Sequence, residues 1–250
     1  MQNIYDDPRF FAGYRELRDT GRGINEAIEQ PALRGLLPVL AGLDVLDLGC
    51  GDGELARWCV EQGARRVVGV DLSNRMLALA RERTAEGRRH TRIQYVRSAL
   101  EQAAFAPASF DIVTSSFALH YVEDYAEMMR RVADWLRPGG TLVYSVEHPV
   151  VTAQVAKQGW VADHVGRRLF WALDDYADES IRHQRWFVDG VVKYHRTVAS
   201  LVNDVLAAGL VLVRLEEPVP LPEAVRARVD LVDDRRRPPV LVLAAVKPQR

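Results

Sequence analysis

Cysteine is scarce in this 250-residue chain: it has two, Cys50 and Cys59. One lies in a glycine loop and the other in the helix expected behind it, so no disulfide is expected and a reducing compartment fits best. The ligand spacings of structural zinc sites are absent, and no metal is expected. An excess of one charge is also missing. Lys and Arg total 33 against 34 Asp and Glu, a net charge of −1, which gives no general attraction to nucleic acid or to an anionic membrane. The basic run Arg235-Arg236-Arg237 follows directly on Asp233-Asp234 and reads as a solvated loop. The longest apolar run, VLVLAAV at 240–246, is far too short to span a bilayer. The opening residues, MQNIYDDPRFFAGYRELRD, lack a basic region followed by an apolar core, so no secretory signal is read. No repeat or low-complexity segment is visible. Together these absences lead to the expectation of a cytoplasmic protein with neither a nucleic-acid nor a membrane partner.

What is present is ordered alternation. Short apolar runs at 44–50, 66–72, 93–98, 110–117 and 141–147 read as strands, and near-continuous runs of this kind suit parallel strands covered on both faces. Helical patterns at 53–63, 73–87 and 123–140 separate them. Ser73 is placed to cap the second, and Pro138-Gly139-Gly140 to stop the third. A further helix at 196–210, closed by Gly209, precedes two more strands, 210–218 and 239–248, which are expected to pair antiparallel at one edge. The fold class is therefore α/β: a Rossmann-like, doubly wound, seven-stranded, mostly parallel sheet with an antiparallel strand at one edge. A single domain, 1–250, divides into an N-terminal arm (1–35), a core (36–148), an insertion (149–195) rich in Trp and His but without strong periodicity, and a C-terminal helix with the last two strands (196–250).

The core opens on VLDLGCGDGELARWCVEQGARRVVGVDLS (45–73), with glycines at 49, 51 and 53 and an acid, Asp71, after the second strand. A P-loop requires Lys and Ser/Thr after its last glycine, where this chain has Glu54-Leu55. A dinucleotide fingerprint requires a third small residue at position 54, where a glutamate is unwelcome beside a pyrophosphate. Both phosphate-binding readings fail.

The run Asp47-Leu48-Gly49-Cys50-Gly51-Asp52-Gly53 resembles motif I of class I S-adenosylmethionine-dependent methyltransferases. The resemblance continues through VGVDLS (68–73), FDIVTSSFALHY (110–121) and LRPGGTLVYSVEHP (136–149) in order and spacing. It implies S-adenosyl-L-methionine as cofactor and S-adenosyl-L-homocysteine as product. It also implies a cofactor site built from Asp47, Gly49, Cys50 and Gly51, from Asp71 on the ribose hydroxyls, and from Leu72 and Met76 against the adenosine. Met76 equally suits helix-core packing. After the third strand, relatives commonly carry an Asp for the adenine amino group within an A-D-L-E-like tetrapeptide. Here the stretch is Ser98-Ala99-Leu100-Glu101, which leaves backbone at Ala99 and Leu100 to read the adenine edge and Ser98 to compensate. Ser115 and Ser116 end the fourth strand, where a backbone carbonyl meets the ammonium. Tyr5 and Tyr14 of the arm are candidates to cover the cofactor, whereas Phe10 also suits the core.

Methyl transfer from a sulfonium needs positioning and exclusion of water, with a base only for some nucleophiles. His120, Glu147, His148 and His195 are the candidates for an acceptor pocket. NIYDDPRFFAGY, SVEHPV and DGVVKYHRT together look like a bacterial group of small-molecule methyltransferases that includes the azapteridine N-methyltransferases of toxoflavin biosynthesis. A small-molecule acceptor is expected, best a ring nitrogen of a polar heterocycle. An O-methyltransferase of a quinone, phenol or carboxylic acid is the alternative, and a catalytically silent S-adenosylmethionine-binding partner protein is the non-enzyme reading.

Overall fold

Apolar runs without alternation must be covered on both faces. The computed structural model, which describes residues 2–85, 90–155 and 159–249, buries them between two layers of helix. Helices α1 (Pro8–Asp19) and α2 (Gln30–Leu36) precede the alternation β1 (Asp44–Leu48), α3 (Glu54–Glu61), β2 (Arg66–Asp71), α4 (Asn74–Ala85), β3 (Ile93–Arg97), β4 (Phe110–Ser116), α5 (Tyr125–Trp135) and β5 (Leu136–Glu147). Then come α6 (Pro149–Thr152), a hairpin of β6 (Trp160–Ala162) and β7 (Arg168–Trp171), and a second of β8 (Ile181–Trp186) and β9 (Val188–Tyr194). The chain closes with α7 (Val198–Ala207), β10 (Val211–Glu216), α8 (Pro222–Ala227) and β11 (Val240–Val246).

The central sheet has the order β10-β11-β5-β4-β1-β2-β3, and all seven predicted strands take part. The five strands from β5 to β3 pair in parallel. β11 runs against both β5 and the outer strand β10. Side chains alternate between the two faces. Val45, Val67, Ile112 and Val143 pack with Leu33 of α2 and with Leu55, Ala56 and Cys59 of α3. Leu46, Leu48, Val113 and Tyr144 pack with Met128, Met129 and Val132 of α5 and Leu201 of α7.

Two expectations need correction. The third helix of the alternation ends at Trp135 rather than at Gly140. Leu136 is already extended, with ψ of 137°, since Pro138 removes a donor and restricts the residue before it. The insertion, read as aperiodic, contains the two antiparallel hairpins. The helix expected over 73–87 is described to Ala85; its last two residues lie outside the described residues.

The second hairpin meets the N-terminal arm through aromatic rings. Phe10 makes edge contacts with Trp186 (5.2 Å between ring centres) and Phe187 (5.5 Å) and is fully buried. A Cβ at position 13 would stand 2.6 Å from the Phe187 ring, so Gly13 is what lets the hairpin tip approach α1. Two polar side chains then fasten the arm at either side. Gln2 pairs with the β9 backbone, donating to the Gly190 carbonyl at 2.8 Å and accepting from Val192 N–H at 2.9 Å. Asp6 accepts from the Ser73 hydroxyl (2.6 Å) and from the N–H groups of Asn74 and Arg75 (3.2 and 3.0 Å). Ser73 meanwhile caps Met76 N–H at 3.1 Å, as its sequence position suggests. The positive end of the α4 dipole thus holds a carboxylate from the arm.

Replacing Asp6 by Ala removes this second cap. We expect a loss of about 1 kcal/mol of stability, measured by chemical denaturation, with faster amide exchange over residues 2–7 than over α1. Unchanged exchange would show that the aromatic contacts alone hold the arm.

Candidate functional site

The order of strands reverses beside β1. α3 carries the chain from β1 to β2 on one side, whereas β4 lies on the other. Such a switch point leaves a crevice at the carboxyl ends of the strands, and a cavity of about 440 Å³ lies there.

Alternation decides what faces it. On the face that carries Val45, Val67, Ile112 and Val143, the next positions toward the carboxyl edge are Asp47, Gly69 and Asp71, Thr114 and Ser116, and Ser145 and Glu147. The apolar face toward α2 and α3 therefore becomes polar where it meets the cavity. Between β1 and α3 the chain turns through Gly49, Gly51 and Gly53, all with positive φ. A Cβ on Gly49 would lie 2.2 Å from that of Ala118, so the turn requires glycine sterically as well as conformationally. Asp71 spans the loop, accepting from Gly51 N–H at 2.9 Å and Ser73 N–H at 2.8 Å. Burial raises its carboxyl above the ordinary range despite those two bonds.

Asp47 is the unusual group. It is 1% exposed, lines the cavity, and neither carboxylate oxygen has a hydrogen-bond partner. Burial, followed by the negative charges of Asp71, Glu29 and Asp52, pushes it up to about 8. Glu29, which sequence reading passed over, sits in the same region at the end of a short π-helical turn, Asn25–Glu29. It accepts from the hydroxyls of Ser116 (2.9 Å) and Ser145 (2.6 Å). Burial raises its carboxyl too.

The structure brings most of the expected cofactor residues together. Tyr5, Tyr14, Asp47, Gly49, Cys50, Gly51, Asp71, Leu72, Met76, Ala99, Leu100 and Ser116 all line the one cavity. Two do not. Ser98 turns its hydroxyl onto the Ala99 carbonyl (2.9 Å) and cannot stand in for the missing Asp. Ser115 lies on the opposite face of β4 and donates to the Leu48 carbonyl at 2.7 Å.

Of the four acceptor-pocket candidates, His120 and Glu147 line the cavity. His120 Nδ1 accepts from Glu147 N–H at 3.4 Å, which leaves the ring hydrogen on Nε2. Burial pushes the imidazole down to about 3, so it is neutral and a donor. His148 and His195 require correction. His148 Nδ1 caps Val150 N–H (3.1 Å) and its Nε2 meets Glu217 (2.8 Å). His195 bonds Thr152 (2.8 Å) and the Tyr176 carbonyl (3.0 Å). Both rings have every nitrogen engaged and neither lines the cavity.

Sequence reading placed Tyr121 on the loop after the fourth strand and Trp186 in the insertion without giving either a role, and it missed Arg18 and Lys193. The first three line the cavity. Arg18 is held by Glu26 (2.9 Å) and Glu54. Lys193 reaches Glu147 Oε1 at 2.5 Å from a nearly closed position. A signal existed for it: Val191 and Lys193 of β9 alternate in step with His195 just beyond the strand, which marks the lysine as facing inward.

The lining carries more acid than base, with Asp47, Asp52, Glu54, Asp71, Glu101 and Glu147 against Arg18 and Arg22. Glu54 is paired with Arg18 and Arg34, Asp52 with Arg83 and Glu147 with Lys193, so the acids that suit a ligand with positive charge are Asp47 and Asp71. Among the described residues no group of three or more His, Cys, Asp or Glu could hold a metal ion, and no helix is long and apolar enough to cross a membrane.

Comparison with known proteins agrees with this geometry. A family model described as a methyltransferase domain matches residues 46–144. Residues of this chain are 39% identical over 107 positions to the ubiquinone biosynthesis O-methyltransferase of Aliivibrio fischeri, a match covering 42% of this chain and 44% of that enzyme. The 1,6-didemethyltoxoflavin-N1-methyltransferase of Burkholderia thailandensis superimposes with a TM-score of 0.58 at 22% identity, covering 96% of this chain and 86% of that one, so the toxoflavin likeness is one of fold. The S-adenosylmethionine-dependent methyltransferase of Mesorhizobium loti is much nearer, with a TM-score of 0.82 and 43% identity over 90% of this chain and 100% of that one. On that breadth of identity, joined to the glycine loop and its acid-lined cavity, the chain belongs to the S-adenosylmethionine-dependent methyltransferases.

Proposed function

We propose that this enzyme methylates a small molecule at a ring nitrogen of a polar heterocycle. The observation that carries the reading is a single cavity in which an unpartnered buried acid, Asp47, adjoins the glycine loop and tyrosine and tryptophan rings line the remaining wall. Asp47 would hold the ammonium of S-adenosylmethionine and Arg18 its carboxylate. The open backbone of Gly49, Cys50 and Gly51 would take the methionine and ribose, with Ser116 beside them. Asp71 would take the ribose hydroxyls, and Leu72, Met76, Ala99 and Leu100 would enclose the adenosine. When bound, the cofactor supplies an electrophilic methyl group on a positively charged sulfur.

Everything else falls to the chain. Tyr5, Tyr14, Tyr121 and Trp186 offer flat faces for a planar acceptor and exclude water. Tyr5 contacts Tyr14 at 5.2 Å and Tyr121 at 6.3 Å between ring centres, so the arm is part of that wall and serves as its lid. Among the described residues, His120, Tyr5 and Glu147 on this acceptor side are not poised to take a proton near neutral pH. His120 is a donor, burial raises the Tyr5 hydroxyl, and Glu147 is held below the ordinary carboxylate range. A ring nitrogen with an available lone pair needs no base, whereas a phenol at ordinary pKa does. Similarity to the ubiquinone biosynthesis enzyme supports O-methylation as a second reading, over less than half of either chain. Two free, buried cysteines support a reducing, cytoplasmic location.

A metabolite extract supplied with methyl-labelled S-adenosylmethionine tests the activity: one labelled small heterocycle should form, with stoichiometric S-adenosylhomocysteine. Label on oxygen would favour the second reading, and label in no small molecule would sink both.

The protonation of Asp47 yields a pH dependence. Its folded carboxyl, at about 8, lies above an unfolded value of about 3.9. The ligand-free fold therefore binds a proton that the unfolded chain has lost, and its stability falls as pH rises between those values. An ammonium favours the ionised form, so cofactor binding releases the proton and affinity should climb with pH up to about 8. Asp47→Asn should raise the thermal midpoint of the ligand-free protein at pH 8, weaken S-adenosylhomocysteine binding about tenfold or more, and flatten its pH dependence. Calorimetry across that range decides the matter; a wild-type affinity independent of pH would refute it.

Tyr5→Phe separates the hydroxyl from the ring. Turnover of the labelled acceptor should fall by about tenfold with an unchanged thermal midpoint; full turnover would leave Tyr5 only its packing.

A further inference from the structure

Glu147 ends β5 against the cavity, and its surroundings are expensive. Oε1 lies 2.5 Å from Lys193 Nζ. Lys193 is 2% exposed and stands 5.3 Å from the centre of the Trp186 ring. Lys193 is out of water while 22% of the Glu147 side chain stays exposed; desolvating the lysine and most of its partner is costly, and apolar residues of like volume would pack as well. The arrangement therefore does something that packing does not. It leaves Oε2 buried without a hydrogen-bond partner, on a carboxylate able to accept about four hydrogen bonds. Lys193 does not line the cavity, while Glu147, Trp186 and His120 do. An acceptor in the cavity thus lies beside the Glu147 side chain and the His120 ring, with the ammonium outside the lining.

We propose that Glu147, backed by Lys193, is the specificity-determining group for the methyl acceptor, and that it selects planar molecules presenting an N–H edge (lactam, amidine or aminopyrimidine-like) against those bearing a carboxylate. The inference rests on the reading that the cofactor lies along the glycine loop beside this wall. An N–H edge satisfies the spare acceptor capacity of the carboxylate. A carboxylate on the ligand meets like charge in a low-dielectric wall and is repelled. Burial alone would raise the Glu147 carboxyl, and the Lys193 charge holds it low. The other titratable and charged groups that face it are His120 and Tyr121, after β4, and Arg237, ahead of β11. Lys193 touches no ligand; it positions and ionises the group that does.

Three probes of one shape and different charge test this: benzamidine, benzamide and benzoate, titrated calorimetrically into the protein saturated with S-adenosylhomocysteine. Wild type should bind benzamidine about tenfold or more tightly than benzoate, with benzamide between. Glu147→Gln should abolish that order while S-adenosylhomocysteine still binds. Lys193→Met should make benzamidine affinity fall as pH is lowered, a pH profile that Lys193→Arg does not show. Should Glu147→Gln fold poorly with its lysine unpaired, the double variant Glu147→Gln with Lys193→Met removes both charges and must abolish the same order. Benzoate binding as tightly as benzamidine, no probe binding at all, or a charge order that survives loss of Glu147 overturns the proposal. Failure of S-adenosylhomocysteine itself to bind wild type would instead refute the cofactor reading beneath it.

Discussion

Side-chain alternation along β1 governs this molecule. Val45 and Asp47 share one face, Leu46 and Leu48 the other, and parallel pairing with β2 and β4 fixes the same parity across the sheet, Asp47 lying level with Gly69 and Thr114. Because all these strands run the same way, their polar last residues collect at one edge and on one face. A slip of one residue would put Asp47 among the α5 side chains. Parity therefore sets both the core and the chemistry, and the carboxylates of Asp47, Asp71 and Glu147 meet one cavity through it.

That concentration of acid is costly without a cation. Asp47 carries no partner at all, Asp71 is held by two N–H groups, and Glu29 by two hydroxyls and Gln30. Buried unpaired acids keep their protons instead of ionising. In the proposed placement, a cofactor bearing ammonium and sulfonium charges would relieve this, and binding would return stability that the buried acids cost the fold.

The remaining wall is assembled from segments far apart in the chain. The arm contributes Tyr5 and Tyr14, the loop after β4 contributes His120 and Tyr121, and the second hairpin contributes Trp186. Asp6 and Gln2 join these parts, one at the α4 amino terminus and one at the β9 edge. The arm is both core and cover: Phe10 is sealed in the interior while Tyr5, five residues earlier, faces the cavity.

The sequence by itself determined the sheet, since apolar strand runs and the helices between them leave few other solutions. It also determined the family and the glycine loop, whose steric needs are local. It located Asp47 and Asp71 for the same reason, each being tied by spacing to a strand end. Tertiary structure decided which polar groups near that edge are free to act. His148 and His195 look like Glu147 and His120 in the sequence, yet their nitrogens are consumed by Val150, Glu217, Thr152 and Tyr176. Ser98 and Ser115 are similarly spent on backbone carbonyls. Lys193 was legible only as an inward position on a hairpin that the sequence did not disclose, because its significance comes from an ion pair with Glu147, 46 residues away. A strand's hydrophobic pattern is a property of neighbours in the chain; whether a hydrogen-bonding group is satisfied depends on neighbours in space.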